Sequence, residues 1–172
     1  GSFDLIVSSG MIEHVGVVES STPYTVTALR DRDLSREKVL GEAVRLMRPG
    51  GRAFFDFPNA LFPVDFWHGD SVGSFRVHGP SDALLPSARR FQRWVAGAGG
   101  AAKLCPLRDR LKMRQVSRRW WGRLLRVPMA AHLAVLDFLV AGGLEFFGRV
   151  FAPYLVFEVR RERGAEEGRA SR

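Results

Sequence analysis

The stretch Phe3-Asp-Leu-Ile-Val-Ser-Ser-Gly10 and the later stretch Leu46-Met-Arg-Pro-Gly-Gly-Arg-Ala-Phe-Phe-Asp-Phe57 decide the fold of this 172-residue chain. The first is a short apolar run, which predicts a parallel strand that lies deep in the fold and is covered on both faces. Residues 34–47 place apolar side chains three and four positions apart, which predicts an amphipathic helix. Pro49-Gly50-Gly51 ends that helix, and an extended pattern follows. The sequence therefore predicts a strand, a crossover helix and a second strand in an open α/β sheet.

The loops that follow these two strands are the first place to look for a binding site. In open α/β sheets, ligands bind beyond the carboxyl ends of the parallel strands. Residues 8–14 and 56–59 follow the two predicted strands, so we expect them to line one cleft.

Three elements in this region carry a family resemblance. They are the Phe3-Asp4 start of an apolar strand, the Glu13-His14-Val15 ending of the next loop, and the Pro49-Gly50-Gly51 turn into the second strand. Together they resemble the second half of a class I S-adenosylmethionine-dependent methyltransferase of the small-molecule type. The resemblance covers residues 1–60, about a third of the chain. It implies part of a doubly wound, Rossmann-like methyltransferase sheet with S-adenosylmethionine as cofactor.

The chain departs from this family in one respect. The family's first strand ends in an acidic-x-Gly-x-Gly-x-Gly loop, and its second strand ends in an acidic residue that binds the ribose. Neither occurs here, and Gly97-Ala-Gly-Gly100 has no strand before it, so we interpret that cluster as a loop. We therefore expect the chain to be the C-terminal portion of a larger enzyme and to bind the cofactor weakly by itself. The strand at residues 3–7 would then be an unpaired apolar edge that is prone to aggregation.

The domain organisation follows from the same resemblance. Residues 1–60 would form the C-terminal half of the cofactor-binding α/β core, and residues 61–153 a variable, mostly helical segment on the acceptor side. Residues 154–160 would be the final, antiparallel strand of the sheet, and residues 161–172 a disordered tail. With 46% hydrophobic residues, the chain can bury one core.

The single cysteine and the arginine content indicate the cellular setting. Cys105 alone excludes an internal disulfide framework and a cysteine-rich zinc site, and it fits a reducing, cytoplasmic compartment. Arginine greatly outnumbers lysine, which suggests a bacterial origin.

The net charge of +8 is concentrated in residues 108–126, which also contain Trp120 and Trp121. A basic run with aromatic rings could bind an anionic membrane surface or an anionic acceptor, could bind single-stranded nucleic acid, or could be a solvated helix face. We regard nucleic acid as the least favoured of these partners.

The apolar stretch at residues 127–147 is interrupted by His132, Asp137 and Glu145, and Gly142-Gly143 should bend or end its helix. An aspartate near the centre of a spanning helix costs about 3 kcal/mol. We therefore interpret the stretch as a helix that covers the cleft rather than as a transmembrane segment.

The candidate catalytic residues lie in the two loops. His14 is the first choice for a general base, because an imidazole accepts a proton near neutral pH. Glu13 could orient His14, bind the acceptor or face solvent. Asp65 and His68 lie beyond the second strand and come second as base or acceptor-binding residues. The spacing of these residues is not diagnostic of a metal site, and we predict none.

The remaining candidates are contacts to the two substrates. The resemblance implies that residues 8–11 contact the cofactor, where Gly10 lets the backbone approach closely. Asn59 and the aromatic residues of the following loop would contact the acceptor and form an apolar wall. The cofactor candidates are Ser8, Ser9, Gly10 and Met11, and the acceptor candidates are Glu13, Asn59, Phe62, Phe66 and Trp67.

Three functions remain open at this point. The leading one is methyl transfer to a small-molecule or lipid-linked acceptor by a cytoplasmic enzyme that could associate peripherally with a membrane. The second is an inactive fragment or a partner-binding subunit. The third is a basic nucleic-acid-binding module.

Overall fold

The computed structural model describes residues 1–21, 23–70, 74–107 and 120–161. The chain forms a four-stranded sheet with helices packed against it and two short two-stranded ribbons beside it. In chain order the elements are β1 (Phe3–Ser9), a 3-10 helix (Ile12–His14), β2 (Val17–Ser21), β3 (Tyr24–Ala28), α1 (Arg32–Leu46), β4 (Met47–Pro58), β5 (Val64–Asp65), β6 (Arg76–Val77), α2 (Ala88–Gly97), β7 (Gly100–Leu104), α3 (Trp120–Ala141), α4 (Glu145–Phe151) and β8 (Tyr154–Arg161).

The strand–helix–strand unit predicted from the sequence is confirmed. β1 and β4 pair in parallel, with Leu5 opposite Arg52 and Ser9 opposite Asp56. α1 connects them, and its residues Leu40 and Val44 are buried. Since the strands are parallel, their carboxyl ends lie at the same edge of the sheet, and the loops after Ser9 and Pro58 start from there.

The sheet has the order β1-β4-β8-β7. β8 runs antiparallel to β4, with Phe157 opposite Phe55, which confirms the predicted antiparallel strand at residues 154–160. β7 pairs with β8 and lies inside the segment that we predicted to be mostly helical. The β2–β3 hairpin likewise stands where the sequence predicted only a polar connection. The fold is therefore α/β, and its sheet is only partly parallel. The predicted division into domains stays a prediction.

The core of the fold is a cluster of aromatic rings between the sheet and α2. Phe91 of α2 lies 4.9 Å from the rings of both Phe57 and Phe157, measured between ring centroids. Gly99, with φ of 78°, turns the chain from α2 into β7, so the glycine cluster forms a tight turn as expected. This packing fixes β4 and β8, the two strands that carry Asp56 and Tyr154.

The prediction that β1 lies deep in the fold is wrong, whereas the expectation of an apolar edge strand at residues 3–7 is confirmed. β1 is an edge strand, and the side chains of Phe3, Leu5 and Val7 are 51%, 57% and 65% exposed. Ile6 points the other way and packs against the core. Within the residues that the structure describes, nothing covers the face of β1 that carries the exposed side chains.

α3 and α4 occupy the apolar stretch at residues 127–147, and Gly143, with φ of 87°, lies in the turn between them. α3 is fixed to the body by one face, where Leu136 is buried and the N–H of Leu107 donates to Asp137 Oδ1 at 2.5 Å. Among the described residues, one helix, Gly122–Ala141, is long and apolar enough to cross a membrane by length and composition, and 6% of that stretch is buried.

Most of the basic segment at residues 108–126 falls outside the residues that the structure describes. Residues 108–119 fall outside the described residues, so the predicted interface there is untested. Arg123 and Arg126 are exposed on α3, and Trp120 is 74% exposed.

Candidate functional site

Asp56 joins the ends of three strands at the edge of the sheet where β1 and β4 end. Its Oδ1 accepts hydrogen bonds from the Ser9 hydroxyl at 2.9 Å, the Gly10 N–H at 3.0 Å and the Tyr154 hydroxyl at 2.7 Å. Burial and the hydrogen bond to Asp56 raise the pKa of Tyr154, so this hydroxyl stays protonated and acts as a donor. The loops after β1 and β4 therefore meet, as parallel pairing requires.

Gly10 keeps a space open beside this junction. Its φ is 57°, and a Cβ at this position would lie 3.7 Å from Glu13 Oε1 and 3.9 Å from the Tyr154 hydroxyl. A larger side chain would fill the gap between these two groups. The backbone of the β1 loop can thus approach a ligand here more closely than other residues would allow.

A buried arginine of α1 holds the 3-10 helix in place. Arg36 Nη2 donates to the carbonyls of Glu13 at 2.6 Å and Leu84 at 2.8 Å, and Arg36 Nε donates to the carbonyl of Val15 at 3.1 Å. Its guanidinium also lies 5.5 Å from the ring centroid of Trp94. Burial lowers the pKa of Arg36 to about 10. The backbone on both sides of His14 is therefore tied to the centre of the molecule.

Glu13 is a carboxylic acid in the protein interior. It is 1% exposed, and its Oε2 has no hydrogen-bond partner within the described part of the chain. Burial raises the pKa of Glu13 above its ordinary value. A buried carboxylate oxygen without a partner is costly unless a cation or a donor neutralises it.

His14 is oriented by the β2–β3 hairpin. Its Nδ1 lies 2.5 Å from Glu19 Oε1, and the hydroxyl of Tyr24 donates to Glu19 Oε2 at 2.7 Å. Burial opposes ionisation of Glu19, but the hydrogen bonds from His14 and Tyr24 outweigh it and lower the pKa of this carboxyl. Because an ionised carboxylate only accepts, Nδ1 of His14 donates to Glu19, and this contact holds the ring with its Nε2 toward His68.

His68 is oriented by Asp65 in the same manner. Its Nδ1 lies 2.8 Å from Asp65 Oδ2, while Asp65 Oδ1 accepts the backbone N–H of Trp67 at 2.9 Å and that of His68 at 3.2 Å. Arg76 Nε donates to Asp65 Oδ2 at 3.2 Å. Burial opposes the ionisation of Asp65. The contacts with His68, the Trp67 N–H and Arg76 outweigh burial and hold the pKa of Asp65 below its usual value.

The two imidazoles are in direct contact with each other. His14 Nε2 and His68 Nε2 are 3.4 Å apart, and the ring planes meet at 65°. A carboxylate oxygen of Glu13 and one ring nitrogen of each histidine all lie within 4.8 Å of one another. The structure thus brings together residues that are 54 positions apart in the chain.

An aromatic wall lies next to the histidines. The rings of Trp67 and Tyr154 are 4.6 Å apart, those of Phe66 and Trp67 are 6.0 Å apart, and those of Phe62 and Phe66 are 6.4 Å apart. Phe66 is 6% exposed and belongs to the interior, whereas Phe62 and Trp67 are partly exposed. Trp67 is therefore the aromatic candidate that stands closest to the Asp56 junction.

Asn59 is placed differently from the sequence expectation. It is 1% exposed, and its side-chain amide donates to the carbonyls of Ala152 at 2.8 Å and Arg149 at 3.0 Å. The amide is used to fix the turn between α4 and β8, so it is not free to bind an acceptor in the cleft.

The four candidate cofactor residues lie at the end of β1 and in the loop that follows it. Ser9 and Gly10 adjoin the open space beside Tyr154, Met11 is 39% exposed at the rim, and the buried Ser8 hydroxyl has no hydrogen-bond partner in the described part of the chain. No acidic-x-Gly-x-Gly-x-Gly motif occurs among the described residues.

Four residues of the site were not among the predicted site residues. Tyr154, Glu19, Tyr24 and Arg76 each hold or adjoin a residue of the site. Asp56 belongs to residues 56–59, which the sequence predicts to line the cleft, but no role is assigned to it there. Glu19 and Tyr24 lie on a hairpin that the β-branched residues around them could have revealed.

Comparison with known proteins adds structural neighbours at low identity. No protein-family profile and no curated protein matches the chain in sequence. Among solved structures, the (4+2)-cyclase SpnF is 14% identical with a TM-score of 0.41, and the match covers 95% of this chain and 52% of that one. A phosphoethanolamine N-methyltransferase 2 from Haemonchus contortus, in complex with phosphomonomethylethanolamine and S-adenosylhomocysteine, is 12% identical with a TM-score of 0.40, over 94% of this chain and 34% of that one. The chain spans about half the length of the first of these proteins and about a third of the length of the second.

Proposed function

We propose that the chain is part of an S-adenosylmethionine-dependent methyltransferase that acts on a small-molecule or lipid-linked acceptor. The observation that carries this proposal is the pair of imidazoles at the carboxyl ends of β1 and β4. Each has its Nδ1 on a carboxylate, and the two Nε2 atoms face the same cleft. Such a pair is suited to take a proton from an acceptor that becomes a nucleophile.

His14 is the proposed general base. S-adenosylmethionine, when bound, supplies a methyl group on a sulfonium, which an oxygen or nitrogen nucleophile can attack. Nε2 of His14 takes the proton that the acceptor O–H or N–H loses, and Glu19 stabilises the imidazolium that forms. His68, held by Asp65, can bind the acceptor from the other side or accept the same proton.

The rest of the cleft would hold the two substrates. Ser9, Gly10 and Met11 would contact the cofactor, with the Gly10 space receiving it beside Tyr154. Trp67 and Phe62 would pack against the apolar part of the acceptor. Positioning donor and acceptor in line is the larger part of catalysis for this reaction.

The direct test uses the full-length product of the gene, assayed for S-adenosylhomocysteine release with a panel of hydroxyl and amine acceptors, some of them lipid-linked. Calorimetry with S-adenosylmethionine gives a second readout. We expect acceptor-dependent release and a dissociation constant in the micromolar range. Failure of the full-length protein to bind either S-adenosylmethionine or S-adenosylhomocysteine at about 1 mM would contradict the proposal.

A matched pair of glycine variants locates the cofactor. Gly10→Val fills the space between Glu13 and Tyr154, whereas Gly143→Val introduces the same side chain at another positive φ, where a Cβ meets no atom within 4 Å. Both variants carry backbone strain, so a loss of cofactor affinity of at least about 10-fold in the first alone assigns the effect to the cleft.

We also propose peripheral contact with an anionic membrane surface. Leu124, Val127, Val135 and Phe138 lie on one stripe of α3 and are 68%, 75%, 58% and 79% exposed. Arg123 and Arg126 are exposed beside this stripe. Exposed apolar side chains flanked by arginines favour a helix that lies in the headgroup region, while the contact between Asp137 and Leu107 keeps the opposite side of α3 on the protein.

Cosedimentation with vesicles tests this contact. The wild-type chain is expected to pellet with vesicles that contain about 30% phosphatidylglycerol and to bind neutral phosphatidylcholine vesicles at least about 10-fold more weakly. Leu124→Ser with Phe138→Ser should remove most of the binding, whereas Val18→Ser, an exposed valine on the hairpin, should not. Equal binding by the double variant would show that the stripe on α3 is not the contact.

The alternatives predicted from the sequence receive less support. The charged cleft argues for chemistry over a purely partner-binding role, and the segment proposed for nucleic acid lies mostly outside the described residues.

A further inference from the structure

We propose that Glu13, His14 and His68 form a binding site for one divalent transition-metal ion. The spacing of these residues in the sequence predicts no metal site, so the inference comes from geometry alone. It rests on the arrangement of the three side chains and not on the proposed methyl transfer.

The first argument is the separation of the two imidazoles. The Nδ1 atom of each imidazole contacts a carboxylate, and the two Nε2 atoms lie 3.4 Å apart. Two nitrogens bound to one tetrahedral zinc at about 2.0–2.1 Å are about 3.3 Å apart, so the observed separation fits that geometry.

The second argument is the buried carboxylate behind the histidines. Glu13 is 1% exposed and Oε2 lacks a partner among the described residues, yet its carboxylate lies within 4.8 Å of a ring nitrogen of each histidine. A bound cation would neutralise this carboxylate and give the unpartnered Oε2 a partner. Arg36 fixes the backbone carbonyl of Glu13 at 2.6 Å, so the residue is held at this position.

The third argument is the set of groups that orient the ligands. Metal-binding histidines almost always donate their other ring N–H to a carboxylate or carbonyl. Glu19 does this for His14 and Asp65 does it for His68, and Asp65 is in turn held by Arg76. The orienting groups that a metal site requires are therefore already in place.

The donor set indicates the kind of ion. Two imidazoles and one carboxylate suit Zn²⁺, Fe²⁺, Co²⁺ or Ni²⁺ better than Mg²⁺ or Ca²⁺, which prefer oxygen ligands. Three protein ligands leave a position for water or for an oxygen of the acceptor. The side chain of His14 is 39% exposed, so this position can be reached from solvent. An ion there would bind the acceptor oxygen and take over the role that the free imidazoles have in the proposed reaction.

The test is direct binding of Zn²⁺ and Co²⁺ to the 172-residue chain without cofactor or acceptor. Calorimetry with Zn²⁺ is expected to show one ion per chain, and Co²⁺ should give the visible absorption of a four- or five-coordinate site. Zinc should also raise the melting temperature, because it binds the folded state. Absence of stoichiometric zinc binding at micromolar concentration in the wild-type chain would overturn the proposal without reference to any variant.

Variants show whether the ion sits where we propose. Glu13→Gln and His68→Gln should each weaken zinc binding by at least about 100-fold. Asp65→Asn, which weakens the carboxylate contact that orients His68, should weaken it by about 10- to 100-fold. His78→Gln removes a histidine outside the cluster and should bind zinc as the wild type does. Equal zinc affinity in His68→Gln and His78→Gln would mean that the ion binds elsewhere, which also overturns the proposal.

Discussion

Replacing His14 by alanine in the full-length protein is expected to lower the turnover of methyl transfer by about 100- to 10,000-fold, the range typical of a lost general base. The Nε2 of His14 faces His68 across the cleft, and its Nδ1 is held by Glu19 at 2.5 Å. The measurement is the rate of S-adenosylhomocysteine release at saturating cofactor.

The control for this variant is another histidine. His78→Ala changes a residue whose Nδ1 bonds only the carbonyl of Gly79, and we expect unchanged turnover. Glu19→Gln keeps the size of the side chain but removes the charge that stabilises the imidazolium, so we expect a lower turnover with little change in KM for the acceptor. Retention of full activity by His14→Ala would exclude this residue from the chemistry.

The same variant separates a base from a metal ligand. If His14 is a free base, added imidazole should restore part of the activity of His14→Ala, and a chelator should leave the wild type active. If a bound metal ion is required for the reaction, a chelator should inactivate the wild type, and added zinc should restore its activity. Zinc binding without chelator sensitivity would support the metal site and leave proton transfer to the imidazole.

The β1–α1–β4 unit could be predicted because all of its signals are local. The apolar run before Ser8, the helical spacing around Leu40 and the Pro49-Gly50-Gly51 turn each lie within a few residues. The burial of β1 was predicted wrongly, since an apolar run indicates a strand but not what packs on it. Phe3 and Val7 are exposed because the described elements leave that face uncovered.

The sequence predicts those residues of the candidate site that lie in loops directly after strands. His14, Asp65 and His68 are polar residues in loops after predicted strands, and the structure brings them into one cleft. Their partners were not predictable in this way. Tyr154 reaches Asp56 across 98 positions because β8 returns antiparallel beside β4, and that pairing has no local signal.

The contacts of Arg36 likewise have no local signal in the sequence. Replacing Arg36 is expected to give the largest effect on stability. In the sequence Arg36 is one of several charged residues on an amphipathic helix, where a solvent-exposed position is the ordinary expectation. In the structure it is 0% exposed and donates to the carbonyls of Glu13, Val15 and Leu84. Arg36 lies four residues before Leu40 on the buried face of α1, and the carbonyls there satisfy its guanidinium.

We expect Arg36→Met to lower the free energy of unfolding by about 3 kcal/mol or more, because three buried carbonyls lose their donor and each such loss costs about 1–3 kcal/mol. Part of this cost is offset, since methionine needs no hydrogen bonds, whereas Nη1 of Arg36 has no partner within the described residues. Arg36→Lys keeps the charge, but a single ammonium cannot match the fork of a guanidinium, so we expect an intermediate loss.

Urea denaturation measures the effect, and Arg45→Met is the matched control. Arg45 lies on the same helix with a side chain 60% exposed, so its replacement should change stability by less than about 0.5 kcal/mol. At a temperature where Arg36→Met remains folded, its zinc affinity should also fall, because the carbonyl of Glu13 is no longer held. A stable Arg36→Met with wild-type zinc affinity would show that the 3-10 helix keeps its position without the arginine, so the site would then depend on packing around Ile12 instead.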